Sequence, residues 1–509
     1  MEVKTRRTGK ALKNVKYGMI SQFIKIAITF VTRTFFIHVL GQKILGVNSL
    51  FTNIISMLSL AELGISSAVG YSLYSPLSKN DKKTISAIMS FFRKAYGLIA
   101  IIVLVLGLFL IPFLPVIIKE YQTIDNALLI YLLFLVNVVI TYLISYKEVL
   151  ITADQRASEI LKIQIISDVI ANVVLLLVLL ISQNYILYLM AQIVMQIIYR
   201  GVVNRYITKK YNDIDFYTDE KIEKKELSTL KTNIKALFLH KIGDYCVNST
   251  DNIIISAFIS ISAVAVYTNY LTIITMLISV TTLIFNSLVS SFGNIIVTEN
   301  KDYQYAAYKK LDFVGFIIYA FCAIALFNLI TPFIELWAGE SYVMNFWVVI
   351  LMIFNFYLVG MRVIANTIKQ SAGIYKEDRY TPLIQALVNL TVSIILVQQI
   401  GVLGVVIGTV VSSIVLPSWQ RPYLIYKNVF NKSMSEYIKR HLLYIFIVVI
   451  LAVISYFALG AITINSLVAK LIIYGIFTVV LFAIAIIAVY HNSDDYKNMV
   501  KMLRRKNEK

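Results

Sequence analysis

The sequence predicts an all-α polytopic membrane protein of about fourteen transmembrane helices, set out as two pseudo-symmetric six-helix lobes with two helices appended. Three observations carry this. Hydrophobic residues make up 59% of the 509 positions and charged residues only 15%, with a mean hydropathy of +0.77. A soluble chain of this size keeps roughly a quarter of its residues charged. The apolar residues also fall in long unbroken runs such as 101–111 and 479–489, whereas barrel strands would alternate polar and apolar side chains over about ten positions. Finally, the cations cluster in every second loop.

Along the chain, six cations (Lys4, Arg6, Arg7, Lys10, Lys13, Lys16) precede the first run, 17–39. Run 47–72 leads to five cations between Lys79 and Lys94, and runs 92–118 and 124–146 enclose only Lys119. Three cations in 147–162 precede runs 160–181 and 185–207, and nine in 200–235 precede runs 232–258 and 262–290. Three in 301–310 introduce runs 312–335 and 343–368, and four in 362–379 introduce runs 380–399 and 402–424. Five in 421–440 precede runs 440–461 and 467–490, and six more close the chain between Lys497 and Lys509.

Positively charged loops stay in the cytoplasm, so both termini are predicted to be cytoplasmic. Of 47 Lys and Arg residues, 41 fall on that side and three (Lys43, Lys119, Lys470) on the other; Lys25, Arg33 and Lys241 lie inside runs. A missed or false helix would scramble the alternation downstream. The net charge of +19 thus has a topological origin, and no nucleic-acid partner is implied. The first run is full length and lacks a small-residue cleavage pattern, so it reads as a retained span. Cys246 and Cys322 lie within runs and the four histidines have no ligand spacing. No disulfide scaffold, metal or cofactor is therefore expected. The absence of a phosphate-binding glycine loop and of any nucleophile, base and orienter grouping argues against an enzyme.

A repeat organises the runs. Asn14-Val15-Lys16 recurs as Asn233-Ile234-Lys235, and 47–55 lies against 266–274, both at an offset of 219. Tyr142-Leu143 with Lys147 resembles Tyr357-Leu358 with Arg362, and Asn172 resembles Asn389, at nearly the same offset. Six runs separate equivalent helices, so the copies share one orientation, related by an axis along the membrane normal. The expected organisation is an N-lobe at 1–207, a charged cytoplasmic linker at 208–231 and a C-lobe at 232–425. Residues 426–509 hold helices 13 and 14 and a basic tail.

Charges inside spans are costly and mark functional candidates. Helix 1 carries Gln22, Lys25, Thr29, Thr32 and Arg33 on one face, and helix 7 carries Lys241, Asp244, Asn248 and Asp251 on one face. The repeat offset makes Asp244 the counterpart of Lys25 and Asn248 that of Thr29. Both stripes are expected to line a central cleft, although packing pairs or snorkelling would also accommodate Arg33 and Asp251. Glu62 and Asp168 are candidate coupling or structural charges. Arg362, Lys369, Lys147 and Arg93 sit at cytoplasmic helix ends and read as positive-inside anchors, with Arg362 also a candidate entrance cation. Gly404 and Gly408 have the small-xxx-small spacing of helix packing.

The run from Arg33 through Leu45-Gly46-Val47 to Ala61-Glu62-Leu63-Gly64-Ile65 resembles the beginning of bacterial polysaccharide flippases of the O-antigen and capsule type. The segment Ser249-Thr250-Asp251-Asn252-Ile253-Ile254-Ile255-Ser256 resembles the start of that family's second lobe. These flippases belong to the multidrug/oligosaccharidyl-lipid/polysaccharide exporter (MOP) superfamily, and the resemblance extends over the chain in span number, repeat and appended helices. It implies a monomer in the bacterial cytoplasmic membrane that moves polyprenyl-pyrophosphate-linked oligosaccharides outward, alongside a polymerase and glycosyltransferases. Cations in the cleft would hold the pyrophosphate, with Lys25 and Arg33 as contacts and Arg362 and Lys241 as entrance or cavity cations. Asp244 would pair with Lys25 when the site is empty, or bind a coupling cation. A cation-coupled exporter of amphiphilic drugs shares the same plan but favours an acidic pocket. The outer loops are too short for a membrane-embedded polymerase or glycosyltransferase site.

Overall fold

The computed structural model describes residues 2–62, 65–220, 222, 250–286, 288–374, 377–493 and 496, with side chains from Tyr17 onward except at 60, 61 and 290. Lys241, Asp244, Asn248 and the linker residues 221 and 223–231 lie outside the described residues. Among those described, all regular structure is helical, as hydrocarbon requires when each segment must satisfy its own backbone. Twelve stretches are long and apolar enough to cross a membrane. Large side chains such as Phe109, Val116, Ile181 and Phe457 are exposed along them, an apolar surface that only lipid suits. The chain is a multi-pass membrane protein.

Twelve stretches stand against fourteen expected runs, for two reasons. Run 232–258 falls largely on undescribed residues. Runs 17–39 and 47–72 are divided differently by the backbone. Helix α1 (Glu2–Phe35) passes through a π-turn at Phe36–Leu40 into α2 (Gly41–Leu58), giving one apolar stretch, Tyr17–Leu58. Only Gly41 breaks it, with φ 76°, a conformation that glycine adopts without a Cβ penalty. The remainder of the second run is a 3-10 turn at Ser59–Glu62 and the separate α3 (Ile65–Lys79), too short to count alone. Apolar content identified the span but not this interruption.

The chain divides into two compact units, Met1–Ala265 and Val266–Lys509. In the first, α4 (Lys82–Leu110), α5 (Ala127–Ser145), the short α6 (Glu148–Ala153), α7 (Ala157–Ser182) and α8 (Tyr185–Lys210) follow α3. Asp81 caps α4 by accepting from Thr84 N at 3.1 Å, and Asn184 caps α8 through Ile186 N at 2.8 Å. Tyr131 on α5 donates to Gly107 O at 2.8 Å and meets Phe51 of α2 edge-on at 5.5 Å, so one ring ties three helices together.

The second unit contains most of α9 (Ile261–Asn286), then α10 (Val289–Thr298) and the 38-residue α11 (Lys301–Ala338). There follow α12 (Phe346–Ser371), α13 (Thr381–Ile400), α14 (Val402–Val415), α15 (Pro417–Ile425), α16 (Met434–Gly460) and α17 (Leu467–Tyr490). α13 and α14 form a tight hairpin. A Cβ on Gly404 would lie 2.4 Å from the Leu396 carbonyl carbon, and one on Gly408 would lie 2.1 Å from Ser393 Oγ, the close approach expected of the small-residue spacing. The appended α16 and α17 dock on α11 through Asn328, whose Nδ2 donates to Ser455 Oγ at 3.2 Å and Thr478 Oγ1 at 2.8 Å.

Candidate functional site

The polar face of α1 lies alongside α7. Lys162 Nζ sits 4.8 Å from the centre of the Tyr17 ring, and about three to four turns further on Thr32 Oγ1 donates to Asn172 Oδ1 at 2.8 Å. Both contacts advance in the same direction along the two helices, so α1 and α7 run parallel. Between them Lys25 acts electrostatically on Asp168, which also feels Arg200 on α8. Lys25 is exposed and makes no ion pair within 4 Å among the described residues. Arg33 is half-buried in the last turn of α1, just before the π-turn. Asp251 is buried at 6% exposure.

A cavity of about 600 Å³ opens in the same unit, lined from α3, α4, α5, α6 and α8. Glu62 stands at its wall. Its carboxylate accepts from Ser66 Oγ at 2.9 Å and from the Tyr96 hydroxyl. Opposite, Arg200 forms an ion pair with Glu148, and Gln196 Nε2 donates to Thr141 Oγ1 at 3.3 Å. Phe92, Tyr96 and Tyr142 bring rings together at 4.4 and 5.9 Å. Of the sequence candidates, Glu62 lines this cavity directly, and Asp168 relates to it through Arg200. Glu148 and Arg200 are invisible as a site in the sequence: one immediately follows a span, the other belongs to a cytoplasmic cluster of cations, and nothing in the linear sequence pairs positions 52 apart.

The second unit buries further charge. Arg362 on α12 is 7% exposed and donates to Ser413 O of α14 at 3.3 Å. Lys369 and Asp378 form an ion pair with both side chains buried. Back in the first unit, Lys147 is buried against the Phe216 ring at 4.4 Å and donates to Thr208 Oγ1 at 2.7 Å. Three of the four expected boundary anchors are therefore packed inside the protein; only Arg93, stacked over Tyr217 at 4.5 Å, keeps partial exposure. Hydropathy locates helix ends but does not tell lipid from neighbouring helix.

No charge cluster of metal-ligand type occurs among the described residues. The chain is similar to the lipid II flippase MurJ in an inward closed conformation (TM-score 0.68, 14% identity), over 94% of this chain and 99% of that one. It is also similar to a multidrug resistance MATE family transporter of the MOP superfamily in an inward-facing conformation (TM-score 0.60, 14% identity, 81% and 98% covered). A MATE transporter from Vibrio cholerae follows (TM-score 0.56, 14% identity, 84% and 100% covered). No curated protein matches by sequence. The family model described as polysaccharide biosynthesis protein matches residues 11–296, more than half of the chain, and the chain belongs to that family. Its fold is the one shared by these lipid II and multidrug transporters.

Proposed function

We propose that this protein is a flippase that moves polyprenyl-pyrophosphate-linked oligosaccharide repeat units across the bacterial cytoplasmic membrane by alternating access, for assembly of a cell-surface polysaccharide. The observation that carries the reading is Lys25. It is a cation within an apolar span, exposed, and without an ion pair among the described residues. An ammonium at that depth, acting on Asp168 only from beyond ion-pair distance, is costly, and an anionic group arriving as substrate offsets the cost. A lipid-linked glycan has such a group in its pyrophosphate, while its tail stays in hydrocarbon. In this reading Lys25 and Arg33 contact the pyrophosphate, and Lys241, Asp244, Asn248, Asp251 and Arg362 serve the same route in the second repeat. Glu62 and Asp168 are coupling or structural charges.

Losing one charge-assisted contact costs roughly 1.5–3 kcal/mol, or about tenfold or more in affinity. Lys25→Ala and Arg33→Ala are therefore expected to cut flipping or complementation by that order in well-expressed protein. Normal activity in both would remove them from the mechanism. One feature favours a second reading, a cation-coupled exporter of amphiphiles: the carboxylates of the cavity, of which only Glu148 is paired with a cation. Vesicle uptake of a cationic dye, stimulated by an ion gradient, would select it.

A further inference from the structure

The cavity in the first unit has a chemistry unlike that of Lys25. Its wall presents Tyr96, Thr141 and Arg200 from strongly apolar helices, and Glu62, Ser66 and Glu148 from the short elements between them. These groups partner one another across the wall, and a hollow so lined, with convergent polar groups beside aromatic rings, is suited to a polar ligand that also has apolar faces. Its volume of about 600 Å³ is that of a small-molecule site, which spans roughly 300–1,000 Å³, and far exceeds the space taken by one bound ion.

Charge narrows the occupant. Arg200 neutralises Glu148, while Glu62 is held by two hydroxyls, with no cation within 4 Å among the described residues. Among those residues the cavity thus offers one carboxyl with no cation beside it and no cation free of a carboxylate. A pyrophosphate would be repelled, whereas a carbohydrate supplies hydroxyl donors for both carboxylates, acceptors for Arg200, and C–H faces for the rings of Phe92, Tyr96 and Tyr142. We infer that this cavity is a saccharide subsite for a neutral or amino sugar of the lipid-linked glycan, separate from the groups that hold its pyrophosphate. Glu62 is its specificity-determining residue. The inference rests on the flippase reading.

Single cysteines at Thr141→Cys and Ser145→Cys, in a full-length chain with Cys246→Ser and Cys322→Ser, test it. In proteoliposomes their labelling by a small methanethiosulfonate is timed with two probes. One is the polyprenyl-pyrophosphate glycan pool extracted from cells that carry the protein; the other is the same pool after mild acid has cleaved the glycan from the lipid and the glycan has been removed. The intact pool should slow labelling about tenfold at ten times its Kd, and the stripped lipid should leave the rate unchanged. Glu62→Gln should raise the concentration needed for half-maximal protection by about tenfold, the weight of a hydrogen bond to a charged group. Equal protection by stripped lipid would make the cavity a headgroup site and overturn the proposal. So would cysteines that the reagent never reaches, or protection by a cationic dye with none by glycan. Transport of the intact pool by the unmodified protein is measured in parallel. If transport occurs without protection, only the subsite fails; if the pool is not transported, the flippase reading fails.

Discussion

Asp312 is the residue around which the second unit concentrates its charge. It is 1% exposed; Arg440 reaches its Oδ2 from Nε at 2.9 Å and from Nη2 at 2.8 Å, and His441 Nε2 lies 3.2 Å away. Removing one member of a buried ion pair strands the other at a cost of about 3–5 kcal/mol, whereas replacing both by apolar groups is often neutral. Asp312→Ala is thus expected to lower the unfolding temperature in detergent sharply, and Asp312→Leu with Arg440→Leu to recover most of the loss. Additive losses would show that the pair does not hold α16 on α11. At the surface, hydrogen bonds from Thr84 hold the Asp81 carboxyl below its usual range. Its contribution to capping α4 is complete above the ordinary carboxylate value of about 3.9 and lost as pH falls through the lowered folded value. A melting-temperature titration should show no Asp81→Ala difference in slope from pH 8 to 5, and convergence with the parent only in stronger acid. Residue types at depth were legible in the sequence, as with Lys25, Glu62 and Asp168. Their partners were not: Asp312 and Arg440 lie 128 positions apart, a separation that periodicity does not register.

Elements were read more completely, because an apolar run long enough to cross a bilayer has few other uses. The starts and ends of α13, α16 and α17 lie close to the runs 380–399, 440–461 and 467–490. The division of the second run into α2 and α3 was illegible, since hydropathy sums side chains and is blind to breaks in backbone hydrogen bonding. The same gap separates Gly404 from Gly475. Both are helical glycines, yet a Cβ at Gly404 meets the backbone of Leu396 and Val397 at 2.4 to 2.7 Å, while none lies within 4 Å at Gly475. Overpacking costs roughly 1–3 kcal/mol, so Gly404→Ala should destabilise by that amount in thermal unfolding. Gly475→Ala should be neutral or slightly stabilising, because alanine is the better helix former. Equal responses would contradict the close α13–α14 approach.

For the whole molecule, the alternation of cations and the parallel course of α1 and α7 bear on the same question. Parallel helices need an even number of crossings from the start of one to the start of the other, and the sequence runs 17–39, 47–72, 92–118 and 124–146 would supply four. Reporter fusions or cysteine labelling should therefore find residues 79–82 and 211–220 on the cytoplasmic side and 119–126 outside; the opposite pattern would invert the membrane orientation. Transport itself is the central claim. Purified protein in liposomes, given a fluorescent polyprenyl-pyrophosphate-linked oligosaccharide on one face, is expected to bring it to the other face well above the protein-free rate, and Lys25→Ala to slow this about tenfold. Translocation no faster than in protein-free liposomes, or unchanged by Lys25→Ala, would contradict the account.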